Sequence, residues 1–123
     1  MWKKYQNNPC GRSVGDCAVR AVSAALGIDW RTAYDLLADE GKRQCDMPSA
    51  DSVWGAVLKN HGFVKMALPS MPYYTAEDFC KGHPQGVYVL AFGGHVATVK
   101  NGVLLDSWDS SNEVPIYYYY RRN

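Results

Sequence analysis

No apolar run in this sequence approaches the ~20 residues that a membrane-spanning helix requires. The longest, Gly86-Val-Tyr-Val-Leu-Ala-Phe92, is far too short, and no membrane partner is expected. The N-terminal Met-Trp-Lys-Lys-Tyr-Gln-Asn-Asn-Pro lacks the apolar core of a secretory leader, so a cytoplasmic location is expected. Surplus charge is also scarce: Lys+Arg number 13 and Asp+Glu 12, a net charge of +1. Nucleic-acid binding needs clustered excess Lys and Arg. The only clusters here, Lys3–Lys4 and Arg121–Arg122, read as solubilising termini, so no nucleic-acid partner is expected. Cys10, Cys17, Cys45 and Cys80 form no Cys-x-x-Cys pair. Cys80-Lys-Gly-His83 has ligand-like spacing, but no second close pair joins it, and no metal or cofactor is expected. Without an export signal the four cysteines read as reduced thiols rather than as a disulfide framework. Repeats, low-complexity tracts and linkers are all missing, so residues 1–123 are read as one domain.

What is present falls into two halves. Residues 1–15 are punctuated by Asn7-Asn8-Pro9, Gly11 and Gly15 and read as irregular. A first helix is expected from Cys17 to Leu26, with Asp16 as N-cap and Gly27 as its stop. Its small residues Ala18, Ala21, Val22 and Ala25 allow close approach by neighbours, which makes it central, while Arg20 is expected to face solvent. A second helix starts at Asp29, with Trp30, Ala33, Tyr34 and Leu37 at the spacing of one buried face and Gly41 as its stop. A third runs from Ser49 to His61. A short fourth starts at Thr75, where Thr75-Ala-Glu-Asp78 approximates a capping box and Gly82 ends the helix.

The period then changes. Val87–Phe92 is a continuous β-forming run, as a buried strand requires. His95–Lys100 and Val103–Asp106 flank Asn101-Gly102, a strong hairpin signal. Val114–Tyr120 reads as a last strand, and Pro115 places it at an edge or confines its pairing. Met66 and Met71 read as gap fillers. Helices first and strands afterwards give an α+β fold, N-terminal helices packed against a C-terminal antiparallel sheet.

The hairpin register brings titratable groups together. With Asn101-Gly102 as the turn, Lys100 faces Val103, Ala97 faces Asp106 and His95 faces Trp108. His95 and Asp106 become diagonal neighbours, ~7–8 Å apart at the backbone, a gap their side chains can bridge. A carboxylate on one imidazole nitrogen fixes the tautomer and favours the imidazolium. Asp109 competes for this role, but strand alternation turns it to the opposite face, and Asp106 is preferred. Cys17, in the first turn of an apolar helix, is the thiol best placed to ionise. Asp16 beside it opposes that ionisation unless helix amides occupy its oxygens.

Gly-Asp-Cys opening a small-residue helix, then Gly-Gly-His, a hairpin and Asp106-Ser107-Trp108, resembles the papain-like cysteine peptidase superfamily. Asp106-Ser-Trp108 looks like that family's Asn-Ser-Trp, and many members carry Asp there. Gly15-Asp-Cys-Ala-Val-Arg-Ala21 also resembles small phage-encoded members. The resemblance implies a papain-like fold. It makes Cys17 the nucleophile, His95 the general base and acid, Asp106 the residue that orients it, and Trp108 the shield over their hydrogen bond. It also implies an oxyanion donor five or six residues before the Cys, where this chain has Gly11 and Arg12. Asn8 and Gln6, further upstream, are the candidates, with the Cys17 backbone N–H as second donor. The implied activity is hydrolysis of a peptide or isopeptide bond in a peptide or protein substrate. Acyl transfer through the same intermediate and a catalytically inactive binding module are the alternatives.

Overall fold

The computed structural model describes residues 1–71 and 73–121; Arg122 of the terminal basic pair lies outside the described residues. Helix α1 (Cys17–Leu26) is buried at every position from Ala18 to Ala25. It ends at Gly27, whose left-handed φ of 68° returns its N–H to the Ser23 carbonyl. Helix α2 (Trp30–Gln44) follows Asp29, whose carboxylate accepts the Thr32 N–H at 2.8 Å.

Gly41 does not stop α2, contrary to expectation; the helix runs to Gln44 and Cys45 closes it in the left-handed region. Glycine is required there by close packing rather than by a turn. A Cβ at Gly41 would stand 2.8 Å from the Asp46 carbonyl oxygen and 3.3 Å from the Pro48 nitrogen. Gly41→Ala is therefore expected to forfeit the ~1 kcal/mol that alanine brings to a helix interior. Crowding should lower stability by about 1–3 kcal/mol, read from the denaturant midpoint. A more stable variant would mean that the 46–48 backbone yields freely.

Helix α3 (Asp51–Asn60) begins at Asp51 rather than Ser49. Helix α4 (Ala76–Gly82) has both halves of the Thr75–Asp78 capping box.

The strands are β1 (Trp2–Lys4), β2 (Val64–Ala67), β3 (Val87–Phe92), β4 (His95–Lys100), β5 (Val103–Asp106) and β6 (Tyr117–Arg121). They form one sheet in the order β1-β5-β4-β3-β6-β2. The fold is α+β, but the sheet is mixed rather than antiparallel: β1, inside the stretch read as irregular, pairs parallel to β5 with Lys4 opposite Asp106. Of the two alternatives for Pro115 the edge position is not taken, since β6 lies between β3 and β2, and the pairing is confined instead, beginning at Tyr117. Pro115 precedes it, so no ladder hydrogen bond is lost. Met66, on β2, is 42% exposed and Met71 43%, so neither fills a gap in the core.

Helices cover both faces. Val87, Val89 and Ala91 of β3 pack with α1, α2 and α3, whereas Tyr88, Leu90 and Phe92 pack with Ala76, Phe79 and Cys80 of α4. Burial on both sides explains the unbroken apolar run of β3.

Two features prepare the site. A two-residue Gly93-Gly94 connection joins Phe92 to His95. The β4–β5 ladder runs from Lys100↔Val103 only to Thr98↔Leu105. The first half of β4 thus lacks a partner on its β5 side, and the N-terminal end of α1 meets it there.

Candidate active site

Asn101 (φ 51°) and Gly102 (φ 77°) both take positive φ, as a type I′ turn requires, and the expected register follows. His95 Nε2 meets Asp106 Oδ2 at 2.6 Å. Asp106 is fully buried and all its acceptor capacity is used. Oδ2 also accepts the Ser110 hydroxyl at 2.6 Å, while Oδ1 accepts the Ser107 N–H at 2.8 Å and Arg20 Nη2 at 3.2 Å. Its backbone carbonyl accepts the Tyr5 N–H at 2.8 Å and the Trp2 indole N–H at 3.2 Å. Main chain and side chain are both pinned, which fixes the plane of the His95 ring.

With Nε2 held by Asp106, Nδ1 is left for the sulfur. Cys17, half-buried as the first residue of α1, lies close enough to His95 and to the Val96 N–H in the unpaired half of β4 for both to lower its pKa. The His95 contact lowers the Cys17 pKa, against the opposing effect of burial; the charges of His95 and Arg20 add to the lowering. Burial disfavours the His95 imidazolium, but Asp106 and Cys17 outweigh it and push the pKa from 6.5 to about 9. Burial also works against the Asp106 carboxylate, which hydrogen bonds from His95 and Ser110 nevertheless hold below the usual range. The three shifts all favour the charged forms of Cys17, His95 and Asp106.

Trp108 lies where expected, its ring centroid 5.2 Å from that of His95 at 42° between planes. It remains 46% exposed and covers only part of the imidazole. Asp109 is exposed and binds Ser111, so it takes no part.

Two expectations are overturned. Arg20 does not face solvent; it is 5% exposed and bridges Asp16, at 2.5 Å, and Asp106, at 3.2 Å. Asp16 is held by side chains instead of helix amides: Arg20 Nη1 on Oδ1 and the Trp30 indole N–H on Oδ2 at 2.9 Å. Its charge is compensated before it can act on Cys17. Arg20, Ser110 and Trp30 were absent from the sequence-based candidates. The Asp16/Arg20 spacing of i,i+4, inside a helix otherwise made of small buried residues, was the available signal for Arg20.

The oxyanion candidates lie in the loop leaving β1 beside Asp106. Gln6 Oε1 accepts the Asn8 N–H and Asn8 Oδ1 accepts the Cys10 N–H, both at 2.9 Å. Their amide NH₂ groups have no partner among the described residues, and neither side chain is bonded to Cys17. Asn7 instead ties the loop to α1 through Ser23 at 2.6 Å.

A mostly apolar cavity of about 200 Å³ lies between the start of α1 and α2, lined by Val14, Gly15, Asp16, Ala18, Val19, Trp30, Tyr34, Pro48 and Ser49, and neither Cys17 nor His95 lines it. The Trp30 and Tyr34 rings stack at 5.4 Å as one wall. Among the described residues no three His, Cys, Asp or Glu side chains gather as a metal site would need, and no helix is long and apolar enough to cross a membrane. Cys80 and His83 do not pair: His83 stacks on Phe79 at 3.8 Å and its Nδ1 bonds the Phe79 carbonyl. Comparison with protein-family models, curated proteins and solved structures finds no match to this chain.

Proposed function

We propose that this protein is a small papain-like thiol hydrolase that cleaves a peptide or isopeptide bond through an acyl-enzyme. The observation that carries the reading is the His95 imidazole locked through Nε2 on the buried Asp106 carboxylate at 2.6 Å, with Cys17 close enough to His95 for its pKa to be lowered. The Cys17 thiolate attacks the scissile carbonyl carbon, and the C–O π electrons move to oxygen. The Cys17 backbone N–H, at a helix start without side-chain capping, stabilises that oxyanion; the free amide of Asn8 or Gln6 is the candidate second donor. The His95 imidazolium gives its Nδ1 proton to the leaving amine as the C–N bond breaks. Neutral His95 then takes a proton from water, which attacks the thioester and releases the acid and Cys17. Trp108 shields the His95–Asp106 bond from competing water.

A peptidyl electrophile such as an acyloxymethyl ketone tests this directly. Labelling is expected on Cys17 alone, although Cys10 and Cys45 are more exposed. His95→Ala should reduce it about 10²-fold or more. Equal labelling of Cys10 and Cys17, unaffected by His95→Ala, would refute catalysis. One observation favours the second reading, a binding module that keeps the fold: neither Gln6 nor Asn8 is bonded at the sulfur. Labelling of Cys17 without turnover of any peptide would support it.

A further inference from the structure

Among the described residues, Arg20 is the one buried cation that the proposed reaction does not use. It sits one helical turn beyond Cys17, with Nη1 on Asp16 and Nη2 on Asp106. Asp106 therefore divides its charge between two cations, His95 on Oδ2 and Arg20 on Oδ1. Few other charges reach this place. His95 comes from β4, Asp106 from β5, Cys17 from α1 and Asp16 from the residue before it. The element α2 adds only the neutral indole of Trp30, and the chain after β5 only Ser107 and Ser110. Lys4, opposite Asp106 in β1, is exposed, and Lys100 bonds the Ala24 carbonyl towards the far end of α1.

We propose that Arg20 is a positioning residue that sets the pH window of the Cys17–His95 pair, with Asp16 and Trp30 acting as the clamp that keeps its guanidinium buried there. This rests on the site reading given above and deepens it. Arg20 acts on the two partners in opposite senses. Its positive charge near Cys17 favours the thiolate, extending the window at its acid end. Its claim on Asp106 weakens the carboxylate's hold on the imidazolium, lowering the alkaline end. Removing it should move both ends of the window to higher pH. Mere loosening of the site does something different. It would weaken the His95–Asp106 and Cys17–His95 contacts together and narrow the window from both sides.

Arg20→Met alone would leave the Asp16 carboxylate buried without its cation, a strongly destabilising change. The informative variant is the double Asp16→Asn/Arg20→Met, which removes both buried charges; Arg20→Lys, which keeps the charge but has one donor centre for two carboxylates, serves as a second. Iodoacetamide alkylation, followed on the Cys17 peptide by mass spectrometry, reads the acid end. An NMR titration of the His95 ring reads the alkaline end. In the double variant the two charges lost beside Cys17 are of opposite sign, so alkylation at pH 6 should change little, while the His95 titration, relieved of the Arg20 claim on Asp106, should move up by about one pH unit, a tenfold change in the equilibrium. Arg20→Lys should move the His95 titration in the same direction by less. A wild-type His95 titration in a folded double variant, or ends that move towards each other, would overturn the proposal. If the wild-type Cys17 profile is that of an ordinary thiol and His95→Ala leaves it unchanged, the hydrolase reading falls and this one with it. If the wild-type profile depends on His95 and only the Arg20 variants are silent, the hydrolase reading stands and Arg20 is structural.

Discussion

Replacing Asp106 with Asn is expected to cost about 3–5 kcal/mol of stability, the range for breaking a buried ion pair, and to slow turnover about 10²–10⁴-fold, the range of acid–base catalysis. The change is nearly isosteric, so the argument rests on donors and charge. Four donors converge on two carboxylate oxygens: Arg20 and the Ser107 N–H on Oδ1, His95 and Ser110 on Oδ2. An amide has one oxygen to offer and turns an NH₂ group towards whichever pair it does not serve. If the oxygen stays with Arg20 and Ser107, the NH₂ faces His95. The ring must then accept at Nε2, and the proton moves to Nδ1, the atom that should take the proton of the thiol. If the amide flips, Arg20 faces an NH₂ group and loses its β5 counter-ion within the core. The position must also balance Arg20. Denaturant unfolding and Cys17 alkylation at pH 6 check the two halves separately. Stability within about 1 kcal/mol of wild type, a minor change by the usual range of single substitutions, would mean that Arg20 and His95 do not depend on this carboxylate.

The contrast between Asp106 and Arg20 shows what the sequence makes legible. The His95–Asp106 pairing could be derived because a two-residue turn fixes strand register rigidly, and Asn101-Gly102 takes the positive φ values that such a turn needs. The capping box at Thr75 and the start of α1 at Cys17 were legible for the same reason: each depends on residues within one turn of chain. Arg20 was not, because its burial is decided by Asp106, separated from it by 86 positions. A charged residue reads as solvent-facing until its distant partner is known. Strand β1 escaped because only three residues pair, two of them lysines, and β2 because all four of its residues are exposed and carry no alternation. Gly41 was misread because a glycine that admits a neighbouring backbone looks, in sequence, the same as one that ends a helix. The rule of helices first and strands later gave the α+β class. It could not show that α4 crosses to the other face of the sheet, since the side a helix takes depends on which residues of β3 it covers.

Cys17→Ser is expected to steepen the fall of stability with rising pH between 6.5 and 9. His95 has its pKa raised from 6.5 to about 9 in the folded protein. Taken alone, it contributes stability fully present below pH 6.5 and lost as pH rises towards 9, because the unfolded chain releases the proton that the folded one keeps. Cys17 works the other way. Its pKa is lowered from 9.0, so its contribution is full above that value and is lost as pH falls through the folded one. Between 6.5 and 9 the folded protein keeps the imidazole proton that the unfolded chain releases, and it gives up the thiol proton earlier than the unfolded chain does. The two contributions slope in opposite directions and offset each other wherever both are changing. Serine does not ionise in this range, so its substitution removes the offsetting half. Asp106 still holds the His95 imidazolium, and stability should then fall with rising pH by up to about 1.4 kcal/mol per unit. The difference between wild type and Cys17→Ser, measured by denaturant unfolding across this range, cancels every other titrating group. Parallel profiles would show that Cys17 and His95 do not share a proton, and the thiolate–imidazolium pair would have to be abandoned whatever the two atoms' proximity.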